Sequence, residues 1–301
     1  MSFRRLSGVI VSITAVLLWL AGTLASQPKS GGSRTILFSV IGKDKHPITD
    51  LKLEEVKVFE NGKAQNTASI ANASAVPLTL VMLVDASGST VNVPPYWRSE
   101  MKPFLDGLLR PGVGKGAVIH FSESPTLIQA ATDNVSQLVD AINKAKAGGG
   151  SAVYDSLAIA AREAGKSQGR KAILMISDGE DNASRFTKEM TSRIVQENDV
   201  IIYAITVEPV RTGTPFLPSR PTGKPFLEEL TRETGGRYLT SNSPKDLRNK
   251  LVEVGDELRS QYAVTYQPSD SKGAGAWRKL KIEVSRKDSR VQHRSGYYST
   301  P

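Results

Sequence analysis

The sequence predicts an α/β fold built on a doubly wound, mainly parallel sheet, and two observations support this. First, the run from Leu78 to Val84 is rich in Leu and Val and lacks polar alternation, which is typical of a strand buried on both faces. Second, strand-like and helix-like patterns alternate between residues 76 and 260. Such alternation favours parallel strands that are joined by right-handed helical crossovers.

The other elements of this region follow in a regular order. Trp97 to Leu109 is the first predicted helix, because its apolar residues recur at helical spacing and would cover one face of the sheet. Asn134 or Asp133 is a candidate cap for the second helix, and Ser243 for the last. The remaining predictions are strands at residues 117–121, 173–177, 200–207 and 237–240, and helices at residues 135–147, 152–167, 186–198, 226–234 and 246–260.

Both flanks of this α/β region have β character. In the N-terminal flank, Thr35 to Ile41 and Val56 to Glu60 are strand candidates, and the pair Asn61-Gly62 predicts a hairpin with Lys63 to Ile70 as its return strand. The C-terminal flank has strand candidates at residues 261–267, 279–284 and 291–298. Because isolated hairpins are marginally stable in water, we expect the two flanks to pair into one small β-sandwich.

The chain has 301 residues, no cysteine and a formal net charge of +9. The absence of cysteine excludes disulfides, zinc–thiolate centres and cysteine nucleophiles. Basic residues are concentrated at residues 278–294, where they occur in strand-like sequence without a nucleic-acid recognition motif. We interpret them as solvated strand faces and expect no nucleic-acid partner.

Residues 1–25 have the layout of a secretory signal peptide, with Arg4 and Arg5 before an apolar stretch and small residues near Ala25. This predicts export to the periplasm or the extracellular space. The alternative is that the segment is not cleaved and anchors the protein to a membrane. Its length, which is close to that of a bilayer span, allows this. The predicted organisation is a signal peptide at 1–25, a linker at 26–33, an N-terminal β segment at 34–75, the α/β domain at 76–260 and a C-terminal β segment at 261–301.

The stretch DASGS directly follows the buried strand, at the end of a sheet where ligands bind in open α/β folds. Asp85, Ser87 and Ser89 place one carboxylate and two hydroxyls on alternate residues of a tight turn, and Gly88 gives the backbone freedom to turn. Oxygen ligands without nitrogen or sulfur suit a hard cation such as Mg²⁺. The stretch is therefore a candidate metal site.

Two later segments complete the pattern. GGGSAVYDSL at 148–157 places Ser151 after three glycines at a helix start, and AILMISDGED at 172–181 ends a second buried strand at Asp178. Together the three segments resemble the von Willebrand factor A (VWFA) domain, a Rossmann-like fold, and its metal-ion-dependent adhesion site. Ser151 stands where the family usually has threonine, and keeps the oxygen while losing a methyl group.

This resemblance implies a non-enzymatic adhesion or binding module. The implied ligands of Mg²⁺, or of Mn²⁺ or Ca²⁺ in its place, are Asp85, Ser87, Ser89, Ser151 and Asp178. The remaining coordination position would take a Glu or Asp carboxylate from a protein partner. Residues 42–59 also resemble the leader of a group of exported VWFA-related proteins that was first described in Acidobacteria.

Two other functions stay open. VMLVDASGST at 81–90 also resembles the first motif of haloacid dehalogenase-like phosphohydrolases, but Ser87 stands where that family has the aspartate that acts as general acid. The protein could instead be a structural component of the cell envelope with a vestigial metal site. A serine hydrolase is disfavoured, because no histidine lies near a nucleophile elbow. We interpret Asp155 as favourable to the dipole of the helix that it begins, rather than as a ligand.

Overall fold

The computed structural model describes residues 32–88, 96–177, 179–207, 223–269 and 275–299, which belong to one unit, Gly31–Pro301. The predicted signal peptide, residues 1–25, lies outside the described residues. The strands are β1 (Arg34–Gly42), β2 (Val56–Glu60), β3 (Lys63–Ala64), β4 (Asn66–Asn72), β5 (Leu78–Asp85), β6 (Gly114–Phe121), β7 (Pro125–Thr132), β8 (Arg170–Ile176), β9 (Ile201–Val207), β10 (Arg237–Ser241), β11 (Tyr262–Gln267), β12 (Trp277–Val284), β13 (Ser289–His293) and β14 (Gly296–Tyr298). The α-helices are α1 (Tyr96–Leu108), α2 (Val135–Asn143), α3 (Val153–Gly165), α4 (Lys188–Glu197), α5 (Lys224–Thr234) and α6 (Pro244–Arg259).

A six-stranded sheet with the order β10-β9-β8-β5-β6-β7 forms the centre of the molecule. Strand β5 lies inside this sheet, and all of its residues are buried, as its apolar sequence predicts. It pairs in parallel with β6 and β8, and β9 and β10 continue the parallel part. The prediction of a doubly wound, mainly parallel sheet is therefore confirmed, and the carboxyl ends of these strands share one edge.

The edge strand β7 is absent from the sequence prediction. It runs antiparallel to β6, and most of its residues are exposed. Its pairing with β6 is interrupted by two register shifts, so apolar and polar residues do not alternate regularly along it. An exposed, irregular strand leaves little periodicity to detect.

Helices cover both faces of the central sheet. Helices α1, α2 and α6 bury their apolar residues against one face, and α3, α4 and α5 against the other. The predicted caps are present: Asn134 accepts a hydrogen bond from Gln137 N at 3.2 Å, and Ser243 accepts one from Asp246 N at 3.2 Å. Among the described residues, no helix is both long and apolar enough to cross a membrane.

The two flanks of the chain form a β-sandwich, as expected. One sheet has the order β13-β1-β11-β4 and the other the order β14-β12-β2-β3, so each sheet combines strands from both ends of the chain. Apolar side chains from both sheets fill the space between them, among them Phe38, Val58, Val264 and Ile282. This arrangement confirms the β module that the fold-class prediction assigns to the flanks.

Two predicted strands are each divided between the sheets of the sandwich. The turn at Asn61 and Gly62 has the positive φ angles, 49° and 79°, that the hairpin prediction requires. The return segment pairs with β2 only over β3, and β4 then joins β11 in the other sheet. The segment 291–298 is likewise split into β13 and β14. A strand that changes sheets at a corner keeps its residue alternation, so the pattern does not reveal the change.

The interpretation of the basic C-terminal residues as solvated is wrong for Arg278 and Arg294, and the partly exposed Arg286 is also paired. Arg278 is buried and forms an ion pair with the buried carboxylate of Glu60. Arg286 pairs with Glu55, and Arg294 pairs with Asp199. These arginines hold the flanks of the chain together or attach the sandwich to the α/β domain.

Candidate metal site

Asp85 is the last residue of β5, and Ser87 follows it at the carboxyl edge of the sheet. Both side chains are almost fully buried, with 5% and 2% of their residue surface exposed. The backbone N–H of Ser87 donates a hydrogen bond to Asp85 Oδ1 at 2.8 Å. This local bond from a carboxylate to the backbone two residues later is the usual way in which aspartate orders a turn.

Ser177 positions the second oxygen of Asp85, and sequence analysis missed it. It follows β8, and its Oγ donates a hydrogen bond to Asp85 Oδ2 at 2.5 Å. The same Oγ accepts a hydrogen bond from Gly179 N at 2.9 Å. One hydroxyl therefore orients the Asp85 carboxylate and also holds the backbone of Gly179.

The glycine loop at residues 148–150 brings the second candidate segment to the first. Gly148 N donates to Ala86 O at 2.9 Å, and Gly88 N donates to Gly149 O at 2.9 Å. Gly149 has a φ of +77°, a conformation that side chains rarely adopt. These two backbone bonds attach the loop to the DASGS turn, immediately before Ser151.

Ser151 is held by its backbone, while its hydroxyl forms no hydrogen bond with another described residue. Its N–H donates to Asn182 Oδ1 at 2.7 Å, and its carbonyl accepts from Asn182 N at 2.9 Å and from Ala183 N at 3.1 Å. Only 2% of the residue surface is exposed. Its Oγ is buried and has no hydrogen-bond partner in the part of the chain that the structure describes. Buried polar groups without a partner are rare, and each requires an explanation.

The structure thus brings together three of the five candidate ligands: Asp85, Ser87 and Ser151. The other two, Ser89 and Asp178, lie outside the described residues. The bond between Gly88 and Gly149 places the residue before Ser89 against the glycine loop that leads to Ser151. The bond between Gly179 and Ser177 places the residues on both sides of Asp178 next to the Asp85 carboxylate.

Asp155 and Asp181 order the segment that follows β8. Asp155 lies in the first turn of α3, and its Oδ1 accepts hydrogen bonds from Arg185 N at 3.0 Å and Phe186 N at 2.8 Å. Asp181 Oδ1 accepts from Ser184 Oγ at 2.5 Å. The contacts of Asp155 agree with the structural role that we expected. They also hold the loop at Arg185 and Phe186 in place.

Two of the three histidines are engaged in packing. His120 Nε2 lies 2.9 Å from Ala141 O of α2, and burial lowers the pKa of His120. His293 Nε2 accepts a hydrogen bond from Ile282 N in the sandwich at 3.1 Å, and burial lowers its pKa too. Neither ring forms a hydrogen bond with a serine hydroxyl among the described residues, in agreement with the argument against a serine hydrolase.

Comparison with known proteins agrees with this fold. The family model of the von Willebrand factor type A domain matches residues 80–180, which include the DASGS turn, the glycine loop and the turn after β8. A search of curated proteins finds no match. The structure therefore has the Rossmann-like fold of this domain type, with the family match limited to these residues.

Solved structures with similar folds come from different organisms. Proximal thread matrix protein 1 from the mussel byssus, with a zinc-occupied metal-ion-dependent adhesion site, is 23% identical with a TM-score of 0.50, over 65% of this chain and 48% of that chain. BatB from Bacteroides thetaiotaomicron is 16% identical with a TM-score of 0.48, over 61% of this chain and 100% of that chain. The chain spans about half the length of the mussel protein that it matches. At these identities the similarity concerns the fold alone.

Proposed function

We propose that this protein is an exported, non-enzymatic binding module that uses a divalent cation to hold a carboxylate of a protein partner. The cation ligands in this proposal are Asp85, Ser87, Ser89, Ser151 and Asp178. The observation that carries the proposal is the buried hydroxyl of Ser151, which has no partner among the described residues although it lies beside the DASGS turn.

The donor set fits a cation. Leaving a buried hydroxyl without a hydrogen bond costs about 1–3 kcal/mol, a cost that a bound ion would remove by accepting an oxygen lone pair. The carboxylate of Asp85 is oriented by Ser87 N and Ser177 Oγ, as ligating carboxylates usually are by neighbouring donors. All candidate ligands are oxygens, so Mg²⁺ is the first choice and Mn²⁺ or Ca²⁺ are alternatives. Zinc also needs testing, because it occupies the site of the mussel protein.

In the proposed mechanism, the residues of this chain bind the cation and fix the positions of its ligand oxygens. Asp85 supplies negative charge, while Ser87 and Ser151 supply neutral oxygens from rigid, buried positions. Neutral hydroxyls compensate the charge of a cation only in part, so a bound ion would attract an acidic group from a partner. A charge-assisted contact of this kind gives an interface specificity as well as affinity.

Export rests on sequence alone, as do the ligand roles of Ser89 and Asp178. The basic start and apolar stretch of residues 1–25 support secretion to the periplasm or beyond, and an uncleaved segment would anchor the protein to a membrane. We propose no nucleic-acid partner, because three of the basic C-terminal residues are occupied in ion pairs. An assay with generic phosphate esters tests the phosphohydrolase alternative, and turnover that Asp85→Ala abolishes would contradict a purely binding function.

A matched pair of serine variants tests the role of Ser151. Ser151→Ala removes the unpartnered hydroxyl, whereas Ser156→Ala removes a buried hydroxyl that donates to Ala152 O at 2.6 Å. In calorimetric titrations with Mg²⁺, Mn²⁺ and Zn²⁺, we expect Ser151→Ala to weaken binding about 10-fold or more and Ser156→Ala to leave it unchanged. Without metal, Ser151→Ala should be at least as resistant to urea as the unsubstituted chain. Equal metal affinities for both variants would contradict the proposal.

A further inference from the structure

Glu123 is an acidic residue beside the candidate site that the ligand set does not use. It lies in the turn between β6 and β7, at the same edge of the sheet as Asp85 and Ser151. The carbonyl of Ser122 accepts a hydrogen bond from Ala152 N at 2.7 Å, which attaches this turn to the segment of Ser151. Glu123 is therefore fixed by its backbone next to the glycine loop.

The side chain of Glu123 lies across the glycine loop. A Cβ atom placed on Gly149 would be 3.2 Å from Glu123 Cγ and 3.3 Å from its Oε1, and one placed on Gly150 would be 3.7 Å from Glu123 Cγ. A side chain at residue 149 would therefore crowd Glu123, while the distance at Gly150 is ordinary van der Waals contact. The side chain of Glu123 thus lies against the glycine loop that precedes Ser151.

No hydrogen bond or ion pair to another described residue accounts for this position of Glu123. Other exposed acidic groups do have such a partner, for example Asp106 with Lys102 at 2.6 Å and Glu197 with Arg193 at 2.8 Å. A carboxylate on a flexible side chain that lies beside buried oxygen ligands is well placed to reach a cation bound there. Carboxylates are preferred ligands of hard cations.

We propose that Glu123 is the chain's own ligand for the open coordination position and is displaced when a partner carboxylate binds. This inference rests on the proposed function, since it requires a cation at Ser151 and Asp85. It has two consequences of opposite sign. Removing the charge of Glu123 should weaken binding of the cation, because a negative ligand is lost, and should strengthen binding of an external carboxylate, because a competitor is lost.

The test uses Mn²⁺. The relaxation of solvent protons gives the number of waters bound to the ion, and electron paramagnetic resonance measures the free Mn²⁺ and hence the affinity. The variant is Glu123→Gln and the matched control is Glu54→Gln, an exposed glutamate in the sandwich without an ion pair among the described residues. We expect Glu123→Gln to bind Mn²⁺ about 10-fold more weakly and to carry about one additional exchanging water. At saturating Mn²⁺, acetate should bind to Glu123→Gln at least about threefold more tightly than to the control.

The outcomes separate this inference from the proposed function. Suppose that all three proteins bind Mn²⁺ with the same affinity, the same number of bound waters and the same acetate affinity. The inference about Glu123 is then wrong, and the metal site stands. If none of the three proteins binds Mn²⁺, the proposed function and the inference are both overturned. Thermal melts that coincide for all three proteins confirm that the substitutions leave the fold intact.

Discussion

The hydroxyl of Ser177 donates a hydrogen bond to Asp85 Oδ2 at 2.5 Å and joins the carboxyl ends of β5 and β8. The same oxygen accepts a bond from Gly179 N, so it also holds the backbone at Gly179. Ser177 is 6% exposed and is thus removed from competition with water. The geometry of the candidate site therefore depends on a residue that is itself outside the proposed ligand set.

Substitution of Ser177 by alanine tests this dependence. The variant leaves Asp85 Oδ2 without this donor and Gly179 N without this acceptor, so we expect metal affinity to fall about 10- to 100-fold. Ser260→Ala is the matched control, because Ser260 is also buried and its Oγ donates to Asp256 O of its own helix at 2.5 Å. Calorimetric titration with Mn²⁺ measures both. An affinity loss as large in Ser260→Ala would indicate general destabilisation rather than loss of the Ser177 bond.

Substitution of Gly223 tests whether stability and metal binding depend on the close contact between Gly223 and Gly179. A Cβ atom on Gly223 would lie only 1.6 Å from Gly179 O, so Gly223→Ala has to displace either the start of α5 or this turn. We expect a loss of more than about 1 kcal/mol in unfolding free energy together with weaker metal binding. Gly148→Ala, where a Cβ would meet no atom within 4 Å, should change stability far less. Urea unfolding of the two variants decides the point, and equal midpoints would show that the contact at Gly223 is easily relieved.

The buried ion pair of the sandwich should dominate its stability. Glu60 accepts hydrogen bonds from the hydroxyls of Tyr266 and Tyr297, at 2.7 Å each, and pairs with Arg278. Glu60→Ala removes the carboxylate that pairs with the buried Arg278 and accepts from both hydroxyls, so we expect a loss of about 3–5 kcal/mol in unfolding free energy. Glu283→Ala removes an exposed pair with Lys281 and should cost less than about 1 kcal/mol. Urea midpoints measure both, and a small effect of Glu60→Ala would contradict the assignment.

The unfolding free energy should decrease with falling pH because of His293. Burial lowers the pKa of His293, and a proton on Nε2 would also abolish the bond from Ile282 N. The unfolded chain therefore takes up a proton at higher pH than the folded chain. The contribution of His293 to the unfolding free energy is fully present above its ordinary pKa of about 6.5. It decreases as the pH falls below that value, by at most about 1.4 kcal/mol per pH unit. His293→Gln should flatten this dependence between pH 6.5 and 5 in urea titrations, and an unchanged slope would contradict the prediction.

The sequence predicts the central sheet well because burial on both faces leaves a clear pattern. Strand β5 is mostly apolar and buried along its whole length, and α1 shows helical spacing, so the sequence predicts both with nearly correct bounds. Strand β7 was missed because an exposed edge strand needs few apolar residues. The division of the return strand into β3 and β4 was missed because alternation continues across a change of sheet.

The candidate site was only partly predictable for a related reason. The position of Asp85 at the end of a buried strand and of Ser151 after three glycines is visible in the sequence. The role of Ser177 depends on the lateral pairing of β5 with β8, a contact across 92 positions of the chain. The position of Glu123 over Gly149 likewise depends on tertiary packing. Ser89 and Asp178 lie outside the described residues, so their roles stay predictions.

The most direct test of the central claim is a calorimetric titration of Mg²⁺ and Mn²⁺ into the chain from residue 26 to residue 301, beside its Asp85→Ala variant. We expect binding at a single site that disappears in the variant, while the two proteins show the same circular dichroism. Binding that persists in Asp85→Ala, or that is absent from both proteins, would contradict a cation site at the carboxyl end of β5.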